Sequence, residues 1–288
     1  MKLDLREWME QRSGDGMLAY ALFRPADLRA EALACNGGFF VMVVADGTAA
    51  LSGPRCEGTL LRRDDLLVLT PSMEVELRGV DDDFLLSCVY FFPDFFDTLS
   101  AAPQLYDPLA KFVAAGILPL HRLDAEASRS MQTAASLFCL HAGTSPLHRE
   151  GMLRHLSCFY LMLAVEAFCR NRGQDAAQVS HPMEIYRHFR KLLHRHYRTE
   201  HGIAFYAGQL CISTTYLSRV VKQLTGRTVH SHLAGLLCAD ARKYLRATDL
   251  NIKEIADRLG FSSQSSFCKF FQKRMGMSPQ EFRFRKET

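Results

Sequence analysis

Between residues 17 and 92 apolar positions come in short runs, MLAYALF, GGFFVMVVADG, DDLLVLTP, EVELRGV and FLLSCVYFF, separated by clusters of Gly, Pro and Asp. Runs of this length bounded by turn formers predict β-strands, and several at this spacing predict a compact sandwich or barrel. After Pro93 the character changes. Ala125 to His141 and Pro146 to Asn171 are expected helices, separated by the breaker AGTSP. In the second helix Leu153, Leu156, Tyr160, Leu163 and Ala167 recur at three- and four-residue steps, and Met152, Phe159, Leu161, Met162 and Phe168 widen the stripe. A surface helix needs only one such stripe. The extra face is expected to pack on the barrel, on the preceding helix or on a second subunit, so burial within the chain and a homodimer both stay open.

Residues 170–182, RNRGQDAAQVSHP, are polar and lie between helical segments, which marks a domain boundary. The expected organisation is one domain over 1–170, a linker over 171–182 and a second domain over 183–288. Downstream of the linker the pattern predicts only helices: Met183–Glu200, Phe205–Cys211, Thr214–Thr225, Val229–Ala247, Ile252–Leu259, Ser263–Met275 and Pro279–Arg285. The fold class is thus α+β, a β domain with a helical pair followed by an all-α domain.

The helical region repeats itself. LSRVVKQLTGRT at 217–228 matches FCKFFQKRMGMS at 267–278 with an offset of 50, whereas Ala207, Leu210 and Ser213 match Ala256, Leu259 and Ser262 with an offset of 49. One residue is therefore inserted in the second turn, and two copies of one supersecondary unit are expected, over 205–226 and 252–275. Each copy has the parts of a helix-turn-helix. A small residue (Ala207, Ala256) allows close helix crossing, and Gly260 can take the positive φ of a turn. Ser213 and Ser262 stand where a hydroxyl can cap the next helix. Leu217, Val220, Val221 and Leu224 form one apolar face, as do Phe267, Phe270 and Phe271.

Opposite those faces lie candidate DNA-contacting residues: Thr215, Ser218, Arg219 and Lys222 in the first copy, and Gln264, Ser265, Lys269 and Lys273 in the second, with Thr214 and Ser263 at the helix starts. They are donors and acceptors suited to base edges and phosphates. The 19-residue helix between the copies spans roughly 28 Å at about 1.5 Å per residue. With the flanking turns, that brings the two reading helices to about one DNA turn, near 34 Å, so that successive major grooves are in reach.

Charge points the same way. The net charge of +4 combines 19 basic and 8 acidic residues from 181 onward, a balance of +11, with 16 basic and 23 acidic before it, a balance of −7. Only one domain is therefore expected to meet a polyanion.

In these residues the chain resembles the AraC/XylS family of bacterial regulators. The resemblance is strongest in IKEIADRLGFSSQSSFCKFFQKRMGMSPQEFR (252–283), with its EIA start, GFS turn, FF pair and G-x-S-P exit, and is also close in FYAGQLCISTTYLSRVVKQLTGRT (205–228). The first unit departs at Cys211, where a turn glycine is common. The resemblance implies base and phosphate contacts at Thr215, Tyr216, Ser218, Arg219 and Lys222, and at Gln264, Ser265, Ser266 and Lys269. It further implies a cupin-like β-barrel that senses a small-molecule effector, a helical pair for dimerisation, and contact with RNA polymerase. Asp64 stands where many such barrels have a glycine before the aspartate.

Other function classes are weighed against this. A cupin metalloenzyme needs histidines converging from barrel strands, and residues 17–92 contain none. No Walker loop, GxGxxG or Ser-His-Asp set is visible. The HxH pairs, His194 with His196 and His230 with His232, are expected to face solvent or phosphate, because two residues along a helix turn about 200°. No cofactor, no metal and no catalysis are expected. Nine dispersed cysteines without a CxxC read as small buried hydrophobes. With no run of about 18 apolar residues and no signal-peptide pattern at the start, no membrane partner is expected and the location is expected to be cytoplasmic. A sequence-specific regulator of promoter DNA and a nonspecific architectural protein remain the two alternatives, since phosphate contacts alone would serve the second.

Overall fold

The computed structural model describes residues 2–13, 16–24, 32–35, 38–53, 56, 58–71, 73–99, 101, 104–105, 109, 112, 118–142, 148–170 and 181–284. Contacts divide the chain into two compact units, residues 1–183 with 222–227, and residues 184–221 with 228–288. Of the expected linker, residues 171–180 lie outside the described residues.

The first unit begins with β1 (Lys2–Asp4) and a short helix α1 (Leu5–Glu10), capped by Asp4, whose carboxylate accepts from the amides of Arg6 and Glu7. Then follow β2 (Leu18–Phe23), β3 (Ala32–Cys35), β4 (Phe39–Asp46), β5 (Thr48–Ser52), β6 (Thr59–Arg62), β7 (Asp65–Leu69), β8 (Val75–Arg78) and β9 (Leu85–Phe91). Helix α2 (Pro93–Thr98), β10 (Leu120–Arg122), α3 (Ala125–Ala142) and α4 (Arg149–Arg170) complete it. The strands form two five-stranded sheets, ordered β1-β3-β8-β5-β6 and β10-β7-β4-β9-β2.

The expected barrel is thus built from two sheets that share one interior. In the second sheet β4 pairs antiparallel with both β7 and β9, placing Phe40 opposite Tyr90 and Met42 opposite Cys88. One face of these strands (Phe40, Met42, Val44, Leu67, Leu69, Cys88, Tyr90) joins Ala49, Leu51, Leu61, Val75 and Leu77 of the other sheet in a common core. Leu5 and Met9 of α1 enter the same core, each 0% exposed. The hydroxyl of Tyr90 donates to Glu10 Oε1 at 2.7 Å, which satisfies a polar group that burial would otherwise penalise. The opposite face meets the helices, where Phe91 lies edge-on to Phe138 of α3 and Phe39 stacks on Phe96 of α2. Burial on both faces is why these strands read as continuous apolar runs rather than alternating ones.

Asp64 takes φ 68 in the turn between β6 and β7, the left-handed conformation that explains why glycine suits this place. The next residue, Asp65, is buried and accepts from the Arg62 amide at 2.8 Å and from Arg122 Nε at 2.7 Å. This fixes the turn.

Helix α4 combines an apolar composition with interrupting charges at Arg154 and Glu166. By length and composition it is apolar enough to cross a membrane, with a mean hydropathy of 1.3 over its best window. Leu153, Ser157, Tyr160, Leu161, Ala164, Ala167 and Phe168 are buried in the unit. Met152, Phe159 and Met162 remain exposed on one stripe, the last two at 55% and 44%, as do Leu137 and Leu140 of α3.

After Arg122 no strand occurs among the described residues. The second unit is built from α5 (His181–His196), α6 (Ile203–Gln209), α7 (Thr214–Thr225), α8 (Val229–Ala247), α9 (Ile252–Arg258), α10 (Gln264–Met275) and α11 (Pro279–Phe284). Helix α8 is capped by Thr228, whose hydroxyl accepts from the Ser231 amide, and buries Val229, Leu233, Leu236, Leu237, Ala241 and Leu245. The expected solvent-facing histidines are corrected at one position. His232 is only 2% exposed, its ring 6.3 Å from that of Tyr186 and 6.4 Å from that of Phe189. The cysteines also divide: Cys35, Cys56, Cys88 and Cys238 are buried as expected, but Cys139 and Cys211 are exposed.

Candidate nucleic-acid interface

The two repeats fold into two helix pairs, α6 with α7 and α9 with α10. In each, the residue after the first helix turns the chain. Leu210 and Leu259 end the helices, then Cys211 takes φ 54 and Gly260 takes φ 73. The next amides bond back in the same way, Ile212 to the Ala207 carbonyl and Phe261 to the Ala256 carbonyl, each at 3.0 Å. The offset of 49 therefore holds through the turn. The second helices start at Thr214 and Gln264, an offset of 50. The extra residue is thus placed between Phe261 and the cap.

This also corrects the cap. In the first copy Ser213 Oγ accepts from the Tyr216 amide at 3.1 Å, as expected. In the second the capping hydroxyl is that of Ser263, accepting from Ser266 N at 3.1 Å, while Ser262 lies one residue outside. Ser262 and Ser263 both approach Ser266 Oγ, at 3.4 and 2.9 Å. Helix α9 is closed by a reciprocal cap in which Asn251 Oδ1 accepts from Glu254 N and Glu254 Oε2 accepts from Asn251 N. Gly276 ends α10 in the left-handed conformation.

The apolar faces are buried: Leu217, Val220, Val221 and Leu224 in α7, Phe267 and Phe271 in α10. Phe270 is only half-buried, its ring 5.1 Å from that of Phe261. The polar faces are open. Thr214, Thr215, Ser218, Arg219 and Lys222 are exposed and Tyr216 is half-buried; Ser263, Gln264, Ser265, Ser266, Lys269 and Lys273 are all exposed. Two residues of the same faces escaped the sequence reading, Gln223 and Gln272, both exposed; their spacing, four from Arg219 and three from Lys269, was the available signal. The Arg219 guanidinium lies 5.0 Å from the centre of the Tyr216 ring, a stacking that holds a planar donor fork near one orientation.

Behind these faces the end of α5 anchors to α8. Tyr197 donates its hydroxyl to Asp240 Oδ2 at 2.6 Å, and Arg198 Nε donates to the same oxygen at 2.7 Å. Burial, reinforced by the Asp240 carboxylate, leaves the Tyr197 hydroxyl pushed up to about 12. Among the described residues no group of three or more metal-ligating side chains comes together.

Two capped reading helices, each on a short crossing partner and joined by one long helix, define a tandem helix-turn-helix DNA-binding module. Residues 206–285 match the family model described as a helix-turn-helix domain. The chain is 33% identical over 91 residues to the HTH-type transcriptional activator RhaS of Escherichia coli, covering 32% of this chain and 33% of that one. It is 32% identical to the C-terminal domain of AraT, a response regulator from Geobacillus stearothermophilus, over 38% of this chain and 92% of that one, with a TM-score of 0.35. ToxT from Vibrio cholerae O395 aligns with 94% of this chain and 98% of its own at 14% identity and a TM-score of 0.35. Residues 206–285 are thus similar to the helix-turn-helix part of such regulators. The match spans about a third of the length of the curated relatives.

Proposed function

We propose that the protein is a sequence-specific transcription regulator that binds promoter DNA through two reading helices, α7 and α10, in successive major grooves. The observation that carries this reading is the pair of capped helices that turn their polar residues outward in a region with a balance of +11. Thr215, Tyr216, Ser218, Arg219 and Lys222 meet one groove and Gln264, Ser265, Ser266, Lys269 and Lys273 the next, with Thr214 and Ser263 at the helix starts. The chain is organised as a sensor and pairing part over 1–170, a linker over 171–182 and the DNA-binding part over 183–288. It is non-catalytic and acts in the cytoplasm, where an effector bound by the first part changes DNA binding or contact with RNA polymerase. The exposed stripe of Met152, Phe159 and Met162 supports a homodimer, since pairing would cover it.

Competition between a promoter fragment recovered by genome-wide mapping and bulk DNA at physiological salt tests the central claim. A preference of about 10³ or more supports the regulator. A ratio near one would favour the architectural alternative.

A further inference from the structure

The segment that follows α5 touches both reading units and the helix between them. Tyr197 and Arg198 share Asp240 Oδ2 of α8. Glu200 offers its carbonyl to the Tyr206 hydroxyl of α6 at 2.7 Å, and the His196 ring lies 5.1 Å from that of Phe205 in the same helix. On the other side, a Cβ on Gly260 would stand 2.1 Å from the Arg198 carbonyl oxygen, and the His201 ring lies 5.2 Å edge-on to Phe261. Gly260 and Phe261 form the turn of the second unit. The segment 196–201 thus hydrogen-bonds to the connecting helix and to the first helix pair, and packs against the turn of the second.

We infer that Tyr197–His201, locked by Asp240, is a brace that fixes the angle between the two reading helices and so sets the base-pair separation at which the chain binds DNA. The inference rests on the reading that both helices engage one duplex. A linked pair of binding elements gains affinity only when its geometry lets both engage at once. A single long helix leaves rotation at each end to the short turns at residues 226–228 and 248–251. The brace removes that freedom without touching DNA. Its residues are positioning residues, and their loss should act on the paired site rather than on either half.

Duplexes recovered by the full-length wild-type chain from a random-sequence pool supply the probes. Each would be measured as a paired site, as single half-sites, and as a paired site with one base pair inserted between the halves. The wild-type chain should bind the paired site about 10²-fold more tightly than a half-site and lose most of that gain on insertion. Asp240→Ala should keep half-site affinity within about twofold, lose at least about tenfold on the paired site, and respond little to the insertion. Equal losses on paired and half-sites, or no loss on either, would overturn the brace while leaving DNA recognition standing. A wild-type chain that recovers no paired sites would overturn both. If circular dichroism shows Asp240→Ala unfolded, Tyr197→Phe removes one hydroxyl only and should show the same selective loss at about threefold; an unchanged spacing preference there rejects the proposal.

Discussion

The carbonyl oxygen of Arg198 occupies the space a side chain on Gly260 would need: a Cβ built there lies 2.1 Å from it, and the backbone at Gly260 has φ 73. Both sterics and conformation exclude a side chain. Gly260→Ala should therefore cost at least about 2 kcal/mol, visible as a lowered urea midpoint. The equivalent turn in the first helix pair, α6 with α7, carries Cys211 at φ 54. Cys211→Gly should relieve that conformation and raise stability by about 1 kcal/mol. A midpoint that falls instead would show that the thiol contributes packing this geometry does not reveal.

Arg219 and Lys269 project from the open faces of α7 and α10. Replacing either by Ala should weaken promoter binding by about 1–3 kcal/mol in mobility-shift titrations. Because Arg219 lies against the Tyr216 ring, Arg219→Lys should recover little, and Tyr216→Leu should weaken binding by about 1 kcal/mol through loss of that stacking. Wild-type affinity in the two Ala variants would remove these side chains from the interface.

The Ser263 hydroxyl caps α10. Ser263→Ala should destabilise the DNA-binding part by about 1 kcal/mol, whereas Ser262→Ala, one residue outside the cap, should do so by less than half as much. Chemical denaturation of the pair distinguishes them directly.

Tyr197 and Tyr206 are both pushed up to about 12 from an ordinary 10.0, by burial first and then by Asp240 for Tyr197 and Glu200 for Tyr206. A raised value means the unfolded chain loses its phenolic protons first. The associated stability is fully present below pH 10 and declines as pH rises toward 12. Urea midpoints taken from pH 9 to the alkaline limit should fall across that window, and Tyr197→Phe should flatten the fall. A variant as pH-sensitive as the wild type would assign the loss to other groups.

The stripe of Met152, Phe159 and Met162 gives a test of pairing. Light scattering of the full chain should report a dimer, and Phe159→Glu with Met162→Glu should shift it toward monomer by introducing like charges at a self-facing surface. A wild-type monomer at high concentration would dispose of the homodimer.

Helix boundaries in the second unit were legible because each helix carries its own signal. Thr214–Thr225 and Val229–Ala247 have the bounds their periodicity predicts. The strands β4, β7 and β9 were legible from apolar runs long enough to be buried on both faces. The strands β1, β3, β5, β6 and β10 were not; they are as short as β7 and β8 but lack a run of bulky apolar residues such as LLVL or an alternation such as VEL. The open faces of α7 and α10 follow from periodicity, but the brace does not. Tyr197 and Arg198 lie more than 40 positions from Asp240 in the chain, and only folding brings both side chains onto its Oδ2. The cap was misplaced by one residue because periodicity locates an insertion to a turn, not to a bond.

In the first unit Leu5 and Met9 of the N-terminal helix lie among Phe40, Met42 and Tyr90 in the interior shared by the two sheets. An effector that entered among these buried side chains would have to displace them. Its apparent affinity is then its intrinsic affinity scaled by the fraction of molecules that have opened. The concentration at which such a regulator responds would be written into the strength of its own core, so that substitutions at Leu5 or Met9, without meeting any signal molecule, would retune the threshold.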